Sequence, residues 1–161
     1  MNDLIFARSF QSKNERQTAM LKKLVSTSPT WTTVPIRLAL GIIFIAHGSQ
    51  LVFGAWGGPG LSKFAASAPP FSFMRPAFVW MYAAALTQFV GGILALTGLF
   101  TRLAALALAM NMLVAMFGVH WPAFFMPRGL EFTLALLGIC MALLIAGGGQ
   151  ASVDRLIAGR R

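Results

Sequence analysis

In and beside the apolar stretches of this chain, the candidates for acid–base, ligand or interhelical hydrogen-bond chemistry are His47, Gln88, Asn111, His120, Glu131 and the single thiol Cys140. A polar or ionisable side chain in a run long enough to cross a bilayer is costly to place against lipid, so it faces protein or a polar cavity. His47, His120 and Glu131 together would form one outward-facing polar pocket for something small and partly apolar. Gln88 and Asn111 fall at matching depth on neighbouring helices, where an amide pair acts as interhelical glue worth about 0.6 to 2 kcal/mol. Two histidines on different helices are also a possible axial pair for a b-type haem, and two histidines with a carboxylate a possible metal set. At a rise of about 1.5 Å per residue the two histidines differ in depth by about 10 Å, which argues against both. Cys140 leaves the chain without an intramolecular disulfide or a C-x-x-C redox pair.

The elements that must position these residues follow from composition. Hydrophobic residues make up 57% of the chain and charged residues 11%, against roughly 25% charged in soluble domains. That balance predicts an all-α membrane protein. The net charge of +9 does not point to nucleic acid, because Lys and Arg stand mostly before the first apolar run and after the last. The apolar stretches at about 34–53, 77–99, 102–119 and 130–147 are each near the length that spans a bilayer, so the expected fold is a bundle of four transmembrane helices. Phe100-Thr101 is so short a link that the second and third helices must form an antiparallel hairpin. Positive charge sets the orientation. Arg37, Arg102, Arg155, Arg160, Arg161 and the amino-terminal basic residues fall on one side, against Lys63, Arg75 and Arg128 on the other. Both termini are therefore expected in the cytoplasm.

Residues 1–33 read as a basic cytoplasmic tail, either with a short amphipathic helix over 14–25 or disordered, and residues 150–161 as a second basic tail around a membrane domain at 34–149. No A-x-A-like site follows a short apolar core, so no removable signal peptide is expected. Met20, opening MLKKLV, is an alternative start. The loops 54–76 and 120–129, rich in Gly, Pro and aromatic residues, are expected to cap the outer end. Helical spacing groups small residues into stripes that mark helix contacts. The stripes are Ala84, Ala85, Gly91, Gly92 and Ala95 beside Gln88; Ala104, Ala107, Ala115 and Gly118 beside Asn111; and Ala135, Gly138, Ala142, Ala146 and Gly149 in line with Glu131. Gly41, Phe44 and Gly48 make a looser stripe in the first helix. Cys140 falls on the opposite side of its helix from Glu131.

Several segments, in this order, resemble the DoxX family of small bacterial membrane proteins. They are His47-Gly48-Ser49-Gln50 ending in Phe53-Gly54; Gly57, Gly58 and Gly60; Gly91-Gly92 through Gly98-Leu99-Phe100-Thr101-Arg102; His120; Gly129 with Glu131; and Gly147-Gly148-Gly149-Gln150-Ala151-Ser152-Val153-Asp154. The likeness runs from about Trp31 to Arg161. It implies a four-span plasma-membrane protein, with some relatives tied to membrane oxidoreductases, among them the small subunit of a thiosulfate:quinone oxidoreductase. Leu51 and Gln88 stand where relatives carry a lysine and a glutamate, so activity does not transfer wholesale. The expected function is an accessory membrane subunit with a redox partner or the quinone pool, whose pocket holds a quinone ring or small reductant with His47 donating to a carbonyl. The alternatives are a small-solute carrier acting as a homo-oligomer and, more remotely, a haem protein.

Overall fold

The computed structural model describes Glu15, Thr27 and residues 29–125 and 129–159. The expected amphipathic helix over 14–25, Glu15 apart, lies outside these residues, as do the alternative start at Met20 and the charge of Arg128. The described residues are helical, without strands. In order they form α1 (Thr33–Phe53), a short 3₁₀ turn (Ala55–Gly57), α2 (Gly60–Ala65), α3 (Ala77–Thr97), α4 (Thr101–Ala115), a π turn (Met116–His120), α5 (Glu131–Ala146) and α6 (Val153–Ala158). Three of these are long and apolar enough to cross a membrane: α1, α3, and α4 continued through its π turn to His120. The fourth apolar helix, α5, has only 16 residues, about 24 Å at the helical rise.

The hairpin between α3 and α4 forms as its short link predicts. α3 stops at Gly98, whose φ of 70° is open to glycine at no steric cost, and its N–H bonds back to Ala95 O. α4 then starts after Phe100, which has no side-chain oxygen to cap the first free N–H groups of a helix. The cap comes from far along the chain. Asp154 accepts from the N–H groups of Phe100 at 2.7 Å and Thr101 at 2.8 Å, one with each carboxylate oxygen. A carboxylate there also meets the positive end of the α4 dipole.

α1 packs most extensively on α3, and α4 on α5, with the α3–α4 hairpin joining the two pairs. The core is built from Leu40 and Phe44 of α1, Ala95 of α3, Ala105, Leu108, Ala109 and Met112 of α4, and Leu136, Cys140 and Leu143 of α5. The adjacent glycines of α3 face two different helices. A Cβ on Gly92 would lie 2.8 Å from Ile45 N of α1, and one on Gly91 3.0 Å from Leu108 Cδ2 of α4. Neighbouring positions differ by about 100° around a helix, so this pair sets α3 into the corner between its two neighbours.

Small-residue stripes mark contacts on α1 and α3, but not on α5. Ala135, Gly138 and Ala142 are exposed, and α5 instead buries Thr133, Leu136, Cys140 and Leu143. The reason is complementarity between partners: α4 already presents the small Ala105 and Ala109, and the larger Leu136 and Leu143 join them in one core. Only one helix of a pair needs the small residues. Cys140 is completely buried in that core, where a small apolar-like side chain fits.

Candidate functional site

On the His47 side of the Gly91–Leu108 contact the helices surround a cavity of about 830 Å³. His47 and Leu51 of α1 form its back. Trp80, Met81, Ala84, Thr87 and Gln88 of α3 form one side, and Ala107, Met110, Asn111 and Val114 of α4 the other. Its remaining boundary is Phe64 of α2, the segment Ser67–Pro70, Met74, and the turn from Gly118 to His120.

Gly48, the neighbour of His47, decides how the imidazole is presented. A Cβ at Gly48 would lie 2.5 Å from Phe89 Cα, so α1 and α3 touch there and α1 is held against rotation. His47, about 100° further round, sits at the edge of this contact rather than within it. Its exposed ring borders the cavity and also lies 6.1 Å from the ring of Phe132 on α5, tilted by 50°.

Asn111 ties α3 to α4, but not through Gln88. Its Nδ2 donates to the main-chain oxygen of Ala84 at 2.9 Å, and the Gln88 side chain makes no hydrogen bond with another described residue. The expected amide pair is thus replaced by an amide-to-carbonyl bond one turn away. A helical carbonyl has a second lone pair to offer, and the small side chain of Ala84 leaves it within reach. The Gln88 amide is left bordering the cavity.

His120 ends the π turn, and its main-chain oxygen accepts from Ala123 N at 3.1 Å. The structure therefore brings four of the candidate site residues, His47, Gln88, Asn111 and His120, to one cavity. Glu131 is not part of that lining. It begins α5, where its N–H bonds to Phe124 O at 3.2 Å, and the α5 ring nearest His47 is that of Phe132. Among the described residues no group of three or more His, Cys, Asp or Glu stands close enough to hold a metal ion.

The expected cap is present in part. Pro70 and Phe71 rest directly on Gly118, where any Cβ would run into Pro70. This loop lies over the end of α4 and helps to roof the cavity. Sequence reasoning missed the apolar wall residues Leu51, Trp80 and Met110. Their types are ordinary for a membrane helix, so nothing local sets them apart.

It also missed a polar cluster at the opposite end of the bundle. Arg37 is 2% exposed and Asp154 1%. The Arg37 Nη2 donates to Ala151 O at 2.5 Å, and the charge of Asp154 acts on the guanidinium. Thr33 Oγ1 donates to Gly148 O at 3.0 Å, Ser152 Oγ accepts from Arg155 N at 3.2 Å, and Gly149 N donates to Thr27 Oγ1. A Cβ at Gly98 would collide with Arg37 Nη1. The available signal was Arg37 inside an apolar run, together with Asp154, one of four acidic residues in the chain.

No curated protein and no solved structure matches this chain. A family model does, and it spans α1 through the π turn, so it includes the four candidate site residues that border the cavity and stops short of Glu131 and Asp154. That model is described as DoxX and matches residues 32–121, more than half of the sequence, and the chain belongs to the DoxX family.

Proposed function

We propose that this DoxX-family protein is an accessory subunit of a membrane redox or quinone-linked system, with its cavity as the binding site. The observation that carries this reading is the convergence of His47, Gln88, Asn111 and His120 on one mostly apolar cavity of about 830 Å³. Ligand pockets of this size, apolar with a few polar groups, suit a small partly apolar molecule such as a quinone ring or reductant. His47 and Gln88 supply donors to a ring carbonyl, and the Asn111–Ala84 bond keeps the wall in register. Bound there, a quinone would supply the two-electron chemistry, and this chain would position and shield the ring.

The same reading has α5 as a fourth, short span, with both termini in the cytoplasm of the bacterial inner membrane and the cavity in the outer half. Arg37, Arg102 and Arg155 gather at the end where Asp154 caps α4, while Lys63 and Arg75 stand in the segments at the cavity end. This distribution supports that orientation. Exposed Trp56, Phe73 and Trp121 at the cavity end and Trp31 at the other suit the two interfaces. A solute carrier would need a route past the end where Arg37, Gly98 and Asp154 are packed together.

The test is recovery of the intact protein from its native membrane in mild detergent, with mass spectrometry of companion proteins and extracted cofactors. A co-purifying dehydrogenase and a quinone content that falls in His47→Ala are expected. No redox partner and an unchanged quinone content would defeat the proposal, and a Soret band would point to haem instead.

A further inference from the structure

The reading of the cavity as a ligand site leaves open whether the ligand is a water-borne reductant or a molecule dissolved in the bilayer, and the walls of the cavity discriminate between them. The loop at Pro70 and Phe71 seats on Gly118 at the end of α4, and Ser67, Ala68 and a nearly buried Met74 line the cavity beneath it. This is the side that would face water. At the other end Gly91 and Leu108 are in contact and form a floor. His47 and Leu51 stand at the back, where α1 is pressed on α3 at Gly48 and Phe89 and Phe132 of α5 lies beside His47.

The remaining side is the seam between α3 and α4. Trp80 and Met110 line the cavity and are 47% and 55% exposed. The cavity residues Ala83 and Ala107, one on each helix, are small and also exposed. Exposed lining residues on both helices, two of them small, leave this wall open along the seam. Met110 stands ten positions before His120 at the helix end, about 15 Å along the axis, and Trp80 three positions from the start of α3 at Ala77, about 5 Å, so the gap runs from near the headgroups into the hydrocarbon. A water-borne solute meets lipid there. An amphiphile already in the bilayer meets an opening with polar side chains behind it.

We infer that the cavity is reached sideways, through the seam between α3 and α4, and takes a bilayer-borne amphiphile. Its polar head, bearing a hydrogen-bond acceptor, meets His47, Gln88 and Asn111, and its apolar tail passes out between Trp80 and Met110. This rests on the proposal that the cavity is the ligand site. The tail, with no polar partner, stays in contact with lipid, so the site need enclose only the head. The small side chains at 83 and 107 set the width available to the tail.

Two benzoquinones distinguish the possibilities, one without a tail and one with a ten-carbon tail that carries a photoactivatable diazirine. Both are offered to the intact protein in lipid nanodiscs. The tailed probe is expected to label the peptides containing Trp80–Thr87 or Leu106–Met110, and excess tailless ring should suppress the labelling. Ala107→Trp is expected to weaken binding of the tailed probe at least tenfold more than it weakens binding of the tailless ring. Ala83→Leu, a smaller change on the facing helix, should act in the same direction. Labelling confined to Ser67–Met74, or equal loss of both ligands in Ala107→Trp and in Ala83→Leu, overturns sideways access while leaving the cavity as the site. If neither quinone binds and no labelling is suppressed by the tailless ring, the proposed site itself fails and this inference with it.

Discussion

The two ends of the bundle handle polar groups in opposite ways. At the Asp154 end, Arg37 and Asp154 are almost wholly buried, both oxygens of the carboxylate are bonded to α4 N–H groups, Arg37 Nη2 bonds Ala151 O while its Nε and Nη1 have no partner among the described residues, and Gly98 leaves no room for a methyl. At the cavity end, His47, Gln88, Asn111 and His120 border open volume, and the Gln88 side chain bonds no other described residue. Polar side chains in a membrane domain are tolerated either by close packing against charge and main-chain partners or by a cavity that can be filled from outside. The first arrangement serves architecture, since each contact joins segments distant in sequence. The second leaves hydrogen-bonding capacity to spare, which is what a ligand requires.

This contrast is broken or sharpened by substitutions at the two ends, read as thermal unfolding of the detergent-solubilised protein. The largest effect is expected for Asp154→Ala, which removes the α4 cap and leaves Arg37 buried without its counter-charge, a loss of about 3 to 5 kcal/mol. Asp154→Asn retains one acceptor oxygen and should lose less. A cost below about 1 kcal/mol for Asp154→Ala would mean that the dense end is not what holds the bundle together.

A middle-sized effect is expected where the roof meets the helix. Gly118→Ala should displace Pro70 and Phe71 and cost about 1 to 3 kcal/mol, the usual penalty for overpacking. The change should raise the reactivity of a cysteine introduced at Ser67 toward a water-soluble maleimide. Unaltered reactivity would show that the loop does not close the cavity from that side. The smallest effect on stability is expected for His47→Ala, under about 1 kcal/mol, because the ring is exposed and packs only at its edge against Phe132. A large destabilisation there would make His47 a structural residue and erase the difference between the two ends.

Much of the fold was legible because it is local. The apolar runs predict α1 and the start of α3 to within a residue of where they lie, and the Gly98 to Thr101 turn dictates the hairpin. Residue size along a helix was a weaker guide. It located the α1–α3 contact through Gly41, Gly48 and Gly92, yet it misjudged α5, because size alone does not say which member of a helix pair supplies the small side chains. Depth counting placed Gln88 and Asn111 at one level but could not tell that Asn111 would choose the carbonyl of Ala84.

The sequence by itself determined that this is a helical membrane protein of the DoxX family, where its longest helices run, and that His47, Gln88, Asn111, His120 and Glu131 are the polar residues to explain. Those properties follow from composition and from periods of a few residues. Only the tertiary structure decided that Asp154 caps α4, 53 residues away in sequence, that Phe132 of α5 lies beside His47, and that residues of α1, α3 and α4 converge on one cavity. Each of these depends on the rotation and separation of helices that meet across the bundle. No spacing along a single helix encodes that.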